Sequence, residues 1–122
     1  MWVDNWQMQC CGEPFRVGSR VSWSVLDADQ QWLSDMLGPA AAEVTVAEEH
    51  HTAASGMRTL EGTVTSIRAA HCRYAPAPGK DSRFVAPVPG SATLTDIESA
   101  DGWTPSHDDL TFTGYVVTVA NE

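Results

Sequence analysis

The chain has 122 residues, 43% of them apolar, and a formal net charge of −9 from 16 acids against 7 bases. That length supports one ordinary core, and that composition argues against general disorder. The charge disfavours duplex nucleic acid, which wants a basic face, and anionic lipid, and no stretch reaches the ~20 apolar residues of a membrane helix.

From Trp2 to Cys10 the residues alternate. Trp2, Asp4, Trp6, Met8 and Cys10 fall on one side, and Val3, Asn5, Gln7 and Gln9 on the other. Period two of this kind predicts a half-buried strand, with Asp4 at the rim of its apolar face. Gly12-Glu13-Pro14 ends it, because proline cannot donate to a ladder. Val17 to Leu26 is the next strand, broken early by Gly18-Ser19, with Val21, Trp23 and Val25 in phase. Asp27 then reads as a helix cap with Gln30 three positions on. The helix runs from Ala28 to Leu37, stops at Gly38-Pro39, and carries an apolar stripe of Trp32, Leu33, Met36 and Leu37.

Glu43 to His50 is a weaker strand and Thr52 to Met57 a turn. Arg58 to Tyr74 is a long strand whose alternation slips, since Val64 and Ile67 differ in parity. A bulge near Thr65-Ser66 restores the phase and bends the strand, as a curved sheet requires. Ala75 to Ala92 holds four prolines and two glycines and reads as a loop, with Phe84 as its anchor. Thr93 to Ile97 is a short strand, and Thr111 to Ala120 closes the chain as another. The expected architecture is all-β: one domain over residues 1–122, a small curved sheet or a partly open SH3-like or OB-like barrel, with one short helix and a Pro/Gly-rich loop at about 75–92.

Three cysteines is an odd count, and two are adjacent. Neighbouring cysteines close a strained ring, so no disulfide framework is expected and a reducing cytoplasm is the natural compartment. No basic run or apolar core follows Met1, so no cleaved leader is expected.

Three doublets of soft ligands stand out: Cys10-Cys11, His50-His51 and His71-Cys72. Successive strand residues point to opposite faces, so each doublet offers one ligand to a given site. One residue from each gives the three protein ligands of an open zinc centre. The candidate metal residues are Cys10, Cys11, His50, His71 and Cys72. The chain has no CxxC and no HExxH, the spacings that make a zinc assignment specific. Packing is therefore the first reading, and zinc the alternative. A reactive thiol at Cys10 or Cys11 wants a nearby cation, and Arg16 is the only base close in sequence. His107-Asp108-Asp109 and Glu48-Glu49-His50-His51 sit in polar runs that read as solvated faces. No GxSxG and no phosphate-cradling glycine loop occurs, so no catalytic or cofactor-binding residue is assigned and an enzyme is not the preferred reading.

Five tryptophans are many for this length. Trp23 and Trp32 have core explanations. Trp2, Trp6 and Trp103 either complete a small core, the first reading, or serve as candidates for an interaction surface, since tryptophans dominate binding energy where they are exposed. Five arginines, Arg16, Arg20, Arg58, Arg68 and Arg73, form a basic stripe only if adjacent strands align them.

The opening Trp2-Val3-Asp4-Asn5-Trp6-Gln7-Met8-Gln9-Cys10-Cys11-Gly12-Glu13-Pro14-Phe15, continued by Val17 to Trp23, resembles a family of short uncharacterised proteins from high-GC bacteria. The resemblance implies a cytoplasmic protein of unknown function and carries no catalytic residues. More loosely, Val17-Gly18-Ser19-Arg20-Val21 and Gly62-Thr63-Val64-Thr65-Ser66-Ile67 are similar to the first strands of SH3-like barrels, with a helix-bearing insertion between them. The functional expectation is a non-catalytic module that contacts a protein partner or a second copy of itself. A metal- or thiol-dependent protein is the alternative and a nucleic-acid-binding barrel the third; membrane binding is not expected.

Overall fold

The computed structural model describes residues 1–10, 13–48, 57–76, 85–106 and 109–120. The chain is mainly β. Its elements in order are β1 (Trp2–Asp4), α1 (Asn5–Cys10), β2 (Phe15–Arg16), β3 (Arg20–Asp27), α2 (Gln30–Leu37), a 3-10 turn (Gly38–Glu43), β4 (Val46–Glu48), β5 (Arg58–Cys72), β6 (Tyr74–Pro76), β7 (Val85–Pro87), β8 (Thr93–Ile97), β9 (Ser99–Ala100) and β10 (Thr111–Ala120).

The long β5 organises the sheet. Its first half pairs antiparallel with β3, and its second half with β8, while β10 runs antiparallel along most of its length. β10 also pairs with β1, β1 with β4, and β4 with β3. The sheet therefore curls until its two sides meet between β1 and β4. That junction is a single residue pair, Trp2 with Ala47, so the curl stops short of a fully closed barrel. Two small ladders, β2 with β9 and β6 with β7, lie outside this sheet.

The phase slip expected in β5 is present. Ser66 faces Thr118 while Val64 faces Val119, so Thr65 is the extra residue of a bulge. The bulge returns Val64 and Ile67 to one core, with Val3, Met8, Phe15, Val25, Phe112, Tyr115 and Val117. A second core lies on the other face of the sheet. It joins Trp2, Ala70, Cys72 and Val116 to Leu33, Met36 and Leu37 of α2. The short helix is thus held by its apolar stripe, as its length demands.

Three local expectations need correction. The strand expected from Trp2 to Cys10 ends at Asp4, and the chain turns into α1. Asn5 makes the change: its side-chain oxygen accepts the Trp6 N–H (2.8 Å) and its amide donates to the Phe112 carbonyl (3.2 Å). Asparagine favours such local bonds over a ladder, and Gln7, Met8 and Gln9 are good helix formers. The cap of α2 is Asp29, whose carboxylate accepts the Trp32 N–H at 3.1 Å. Asp27 stays in β3 opposite Val46 and pairs with Arg58. The Pro/Gly-rich stretch is not all loop, because Tyr74–Pro76 pairs with Val85–Pro87. Phe84 and most of the turn expected at 52–57 lie outside the described residues.

Tyr115 ties the 101–106 segment to the first core. It is fully buried, and its hydroxyl accepts the Gly102 N–H (3.0 Å) and bonds the Thr104 hydroxyl (2.8 Å). Gly102 has φ +86°, and a Cβ there would lie 2.7 Å from the Met8 Cβ, so glycine is required for this segment to reach α1. Tyr115→Phe leaves the buried Gly102 N–H without its acceptor, and about 1–2 kcal/mol of stability should go with it. Urea unfolding curves would measure the loss; an unchanged midpoint would refute the account.

The α-amino group of Met1 is also buried. It donates to the Val117 carbonyl at 2.8 Å, and burial, helped by the Arg68 charge, lowers its pKa from 8.0 to about 6. Between those values the unfolded chain binds more protons than the folded one, so stability rises with pH across this window. The full gain is present above the unfolded value and is lost as pH falls through the folded one. Roughly 2 kcal/mol is expected from this group. Unfolding midpoints for the chain starting at Met1, with and without amino-terminal acetylation, would isolate it. A slope that survives acetylation would disprove the assignment.

Candidate functional site

Three tryptophans from three separate elements meet at the seam between β1 and β4. Trp2 of β1, Trp6 of α1 and Trp32 of α2 line one groove of about 370 Å³, together with Asp4, Asp29, Leu33 and Ala47. Trp2 is the floor, only 2% exposed, whereas Trp6 is 51% and Trp32 36% exposed. The Trp2 and Trp32 rings meet edge to face, with centroids 5.9 Å apart and planes at 63°. That geometry suits the indole quadrupoles and holds the two rings at a fixed angle.

Local sequence explains each placement. Trp2 follows the pleat of β1 onto the face that α2 covers. The turn into α1 at Asn5 then lifts Trp6 away from that face and leaves it in solvent. Asp29 starts α2, so Trp32 stands in the first turn of the helix and beside the seam. Leu33, Met36 and Leu37 take the buried side of α2.

Both carboxylates in the groove are oriented by N–H donors. Asp4 accepts from the Trp2 indole at 2.7 Å, and Asp29 accepts from the Trp32 backbone N–H. Behind Trp2, Tyr74 bonds the Thr113 hydroxyl at 3.3 Å, and Thr113 in turn reaches Cys72 Sγ at 3.4 Å. Burial pushes the Tyr74 hydroxyl above its ordinary pKa, and the Asp4 carboxylate adds to that rise.

Of the aromatic residues singled out from sequence, Trp2 and Trp6 belong together. Trp103 does not line this groove; it stands 66% exposed on the segment after Gly102. Trp32 was expected in the core, and half of that reading holds. Its ring packs on Trp2, and its outer part is open to solvent. Nothing local in the sequence marks Trp32 as a neighbour of Trp2, because the contact spans the whole β3–α2 connection.

The cysteine and histidine doublets fare differently. His71 and Cys72 are both buried on opposite faces of β5. The His71 ring lies 5.7 Å from Phe112, and its Nε2 is 2.9 Å from the Pro105 carbonyl. Cys72 is a free thiol in the second core. Cys10 is disulfide-bonded, which departs from the expectation that no disulfide forms. The thiol argument for a reducing compartment thus loses Cys10. Cys11, His50 and His107 lie outside the described residues, and among the described residues no group of three or more His, Cys, Asp or Glu is placed to hold a metal ion.

Three of the five arginines proposed for a basic stripe are paired with acids: Arg58 with Asp27 (2.7 Å), Arg68 with Glu43 (3.1 Å) and Arg73 with Asp109 (2.7 Å). Such exposed pairs add little stability, but they cancel the local positive field. Two further clefts, of about 410 and 400 Å³, flank Phe15 on either side. Each offers one or two aromatic rings at most, so the tryptophan groove is the site with the more distinctive chemistry. No described helix is long and apolar enough to cross a membrane.

A family model described as a family of unknown function, DUF6578, matches residues 1–121. No curated protein and no solved structure matches the chain.

Proposed function

From the premise that this chain belongs to the DUF6578 family of unknown function, we propose that it is a non-catalytic interaction module that grips a segment of another protein in the tryptophan groove. One observation carries the reading: three indoles from β1, α1 and α2 converge on one surface groove, two of them substantially exposed. Indole surface of this kind is what interfaces use as anchors, because large rigid rings bury much area at low entropic cost. The occupant is a different protein and not a second copy of this one. Two copies each carry a net charge of −9 and repel, and the groove itself presents two carboxylates.

Selection of short random peptides on the immobilised protein tests the reading. The Trp6→Ala/Trp32→Ala double variant serves as the comparison, since neither ring is among the buried core residues, and its circular dichroism and thermal midpoint check that it is folded. Peptides that bind the natural chain and lose the double variant support the module. Peptides that bind both equally, or no enrichment at all, overturn it.

A further inference from the structure

We infer that the groove beside the β2–β9 ladder binds a free α-amino acid as its zwitterion, with Arg16 taking the carboxylate and Asp101 the ammonium. The groove measures about 400 Å³, a size that suits a small molecule, and its lining shares no residue with the tryptophan groove. The ladder explains what lines it. Arg16 faces Ser99, and Phe15 faces Ala100. Side chains alternate along a strand. Phe15 and Ala100 therefore turn into the first core, while Arg16 and Ser99 stay exposed on the other face. Asp101 follows Ala100 and is exposed again, in the same lining as Arg16.

Opposite charges thus share one groove without meeting. Among the described residues Arg16 makes no ion pair, whereas Arg58, Arg68 and Arg73 each make one. Its guanidinium keeps a fork of donors for a ligand carboxylate. Asp101 Oδ1 accepts the Trp103 N–H at 2.8 Å, which orients the carboxylate and leaves its second oxygen for a cation. Ser19 stands beside Arg16. Its hydroxyl oxygen accepts the Arg16 N–H at 3.0 Å, and its own proton remains to donate to the ligand carboxylate. A simple anion would gain Arg16 and meet the Asp101 charge, and a simple cation would meet the reverse. A molecule that carries both charges a few bonds apart satisfies both. Pro14, Phe15 and Ala100 add apolar lining, so the side chain of the preferred amino acid is neutral and apolar.

The probe is L-leucine, compared with N-acetyl-leucine, which keeps only the carboxylate, and with leucinamide, which keeps only the ammonium. The readout is the backbone amide signals of Arg16, Ser19, Ser99 and Asp101 in NMR titrations at slightly acid pH, where leucinamide stays protonated. Leucine should shift all four signals at millimolar concentration. Each half-charged compound should need about tenfold more, the loss of one charge-assisted contact. Asp101→Asn removes the charge and keeps an oxygen for the Trp103 N–H. It should bring leucine to the affinity of N-acetyl-leucine, and Arg16→Gln should bring it to that of leucinamide. Both side chains are exposed, so both variants should fold as the natural chain does. Equal binding of leucine and the two half-charged compounds overturns the proposal. So does leucine bound equally by the natural chain and both variants, and so does silence of the four amides towards leucine up to its solubility limit. Each of these results leaves the tryptophan groove and its peptide test untouched.

Discussion

Trp2→Ala should cost about 3–5 kcal/mol of folding stability, the range for removing a large buried aromatic side chain. The ring is 2% exposed and belongs to the core that joins the sheet to α2. Its loss leaves a cavity under Trp32 and strips Asp4 of the indole donor. α2 is eight residues long, and its buried residues Leu33, Met36 and Leu37 all pack in that core. Fraying of α2 should therefore accompany the loss, with weaker far-ultraviolet helical signal before the main unfolding transition. Trp2→Phe separates two causes. It restores most of the buried area but no donor for Asp4, so it should recover more than half of the stability. Chemical unfolding with an unchanged denaturant slope is the measurement. A loss below about 1 kcal/mol for Trp2→Ala would mean that Trp2 is not the keystone described here.

Gly114→Ala is the second large effect. Gly114 pairs with Asp4 across β1 and β10, directly beneath the Trp2 ring. A methyl built there would lie 2.5 Å from the Val3 carbonyl oxygen and 2.6 Å from Trp2 Cζ2. The first of these is backbone and cannot swing aside. β1 must shift against β10 to clear the Val3 carbonyl, and the Trp2 ring must tilt with it. About 3 kcal/mol, the upper end of the usual overpacking cost, is expected. Because the displaced group is Trp2, near-ultraviolet circular dichroism should change together with the thermal midpoint. A destabilised protein whose tryptophan dichroism stays as in the natural chain would show that the strain is relieved elsewhere.

How far these features could be read from the chain depends on the range of the interaction behind each. The bulge at Thr65 was legible because it leaves a local mark: Val64 and Ile67 cannot share a face of an unbroken strand. The bounds of β8 and β10 were legible for the same reason, with β-branched and aromatic residues between clear turn signals. The end of α2 at Gly38-Pro39 was equally local. Its start was not, because Asp27 has Gln30 three positions on and Asp29 does not, and only the pairing of Asp27 with Val46 and Arg58 shows that the cap is Asp29. α1 was hidden for a different reason. Trp2, Asp4, Trp6, Met8 and Cys10 alternate perfectly, yet the helix is imposed by the Asn5 bond to Phe112, more than a hundred residues away.

The site shows the same divide. Trp2 and Trp6 were visible only as tryptophans with two readings, core or surface; Trp2 is a core residue at the floor of the groove and Trp6 is exposed. Trp103, picked on the same ground, stands apart from them. Trp32 was masked because it sits in phase with Leu33, Met36 and Leu37, a stripe that any core-packing helix would show. Its role comes from its position at the edge of that stripe, over a strand distant in sequence. The acids Asp4 and Asp29 look like a rim residue and a cap, which they are. Only the meeting of β1 with α2 makes them part of one lining.

The junction of β1 with β4 has a consequence for how occupancy and folding are linked. The two residues that join there, Trp2 and Ala47, both belong to the groove lining. A seam of one residue pair is the weakest stitch in the cylinder, and brief local unzipping should begin at that stitch. A guest lodged across it clasps both lips at once, so every kilocalorie of its affinity for the shut form also resists the unzipping. Amide protons near the stitch should then exchange with solvent more slowly when a guest is present, while those in the middle of β5 keep their pace.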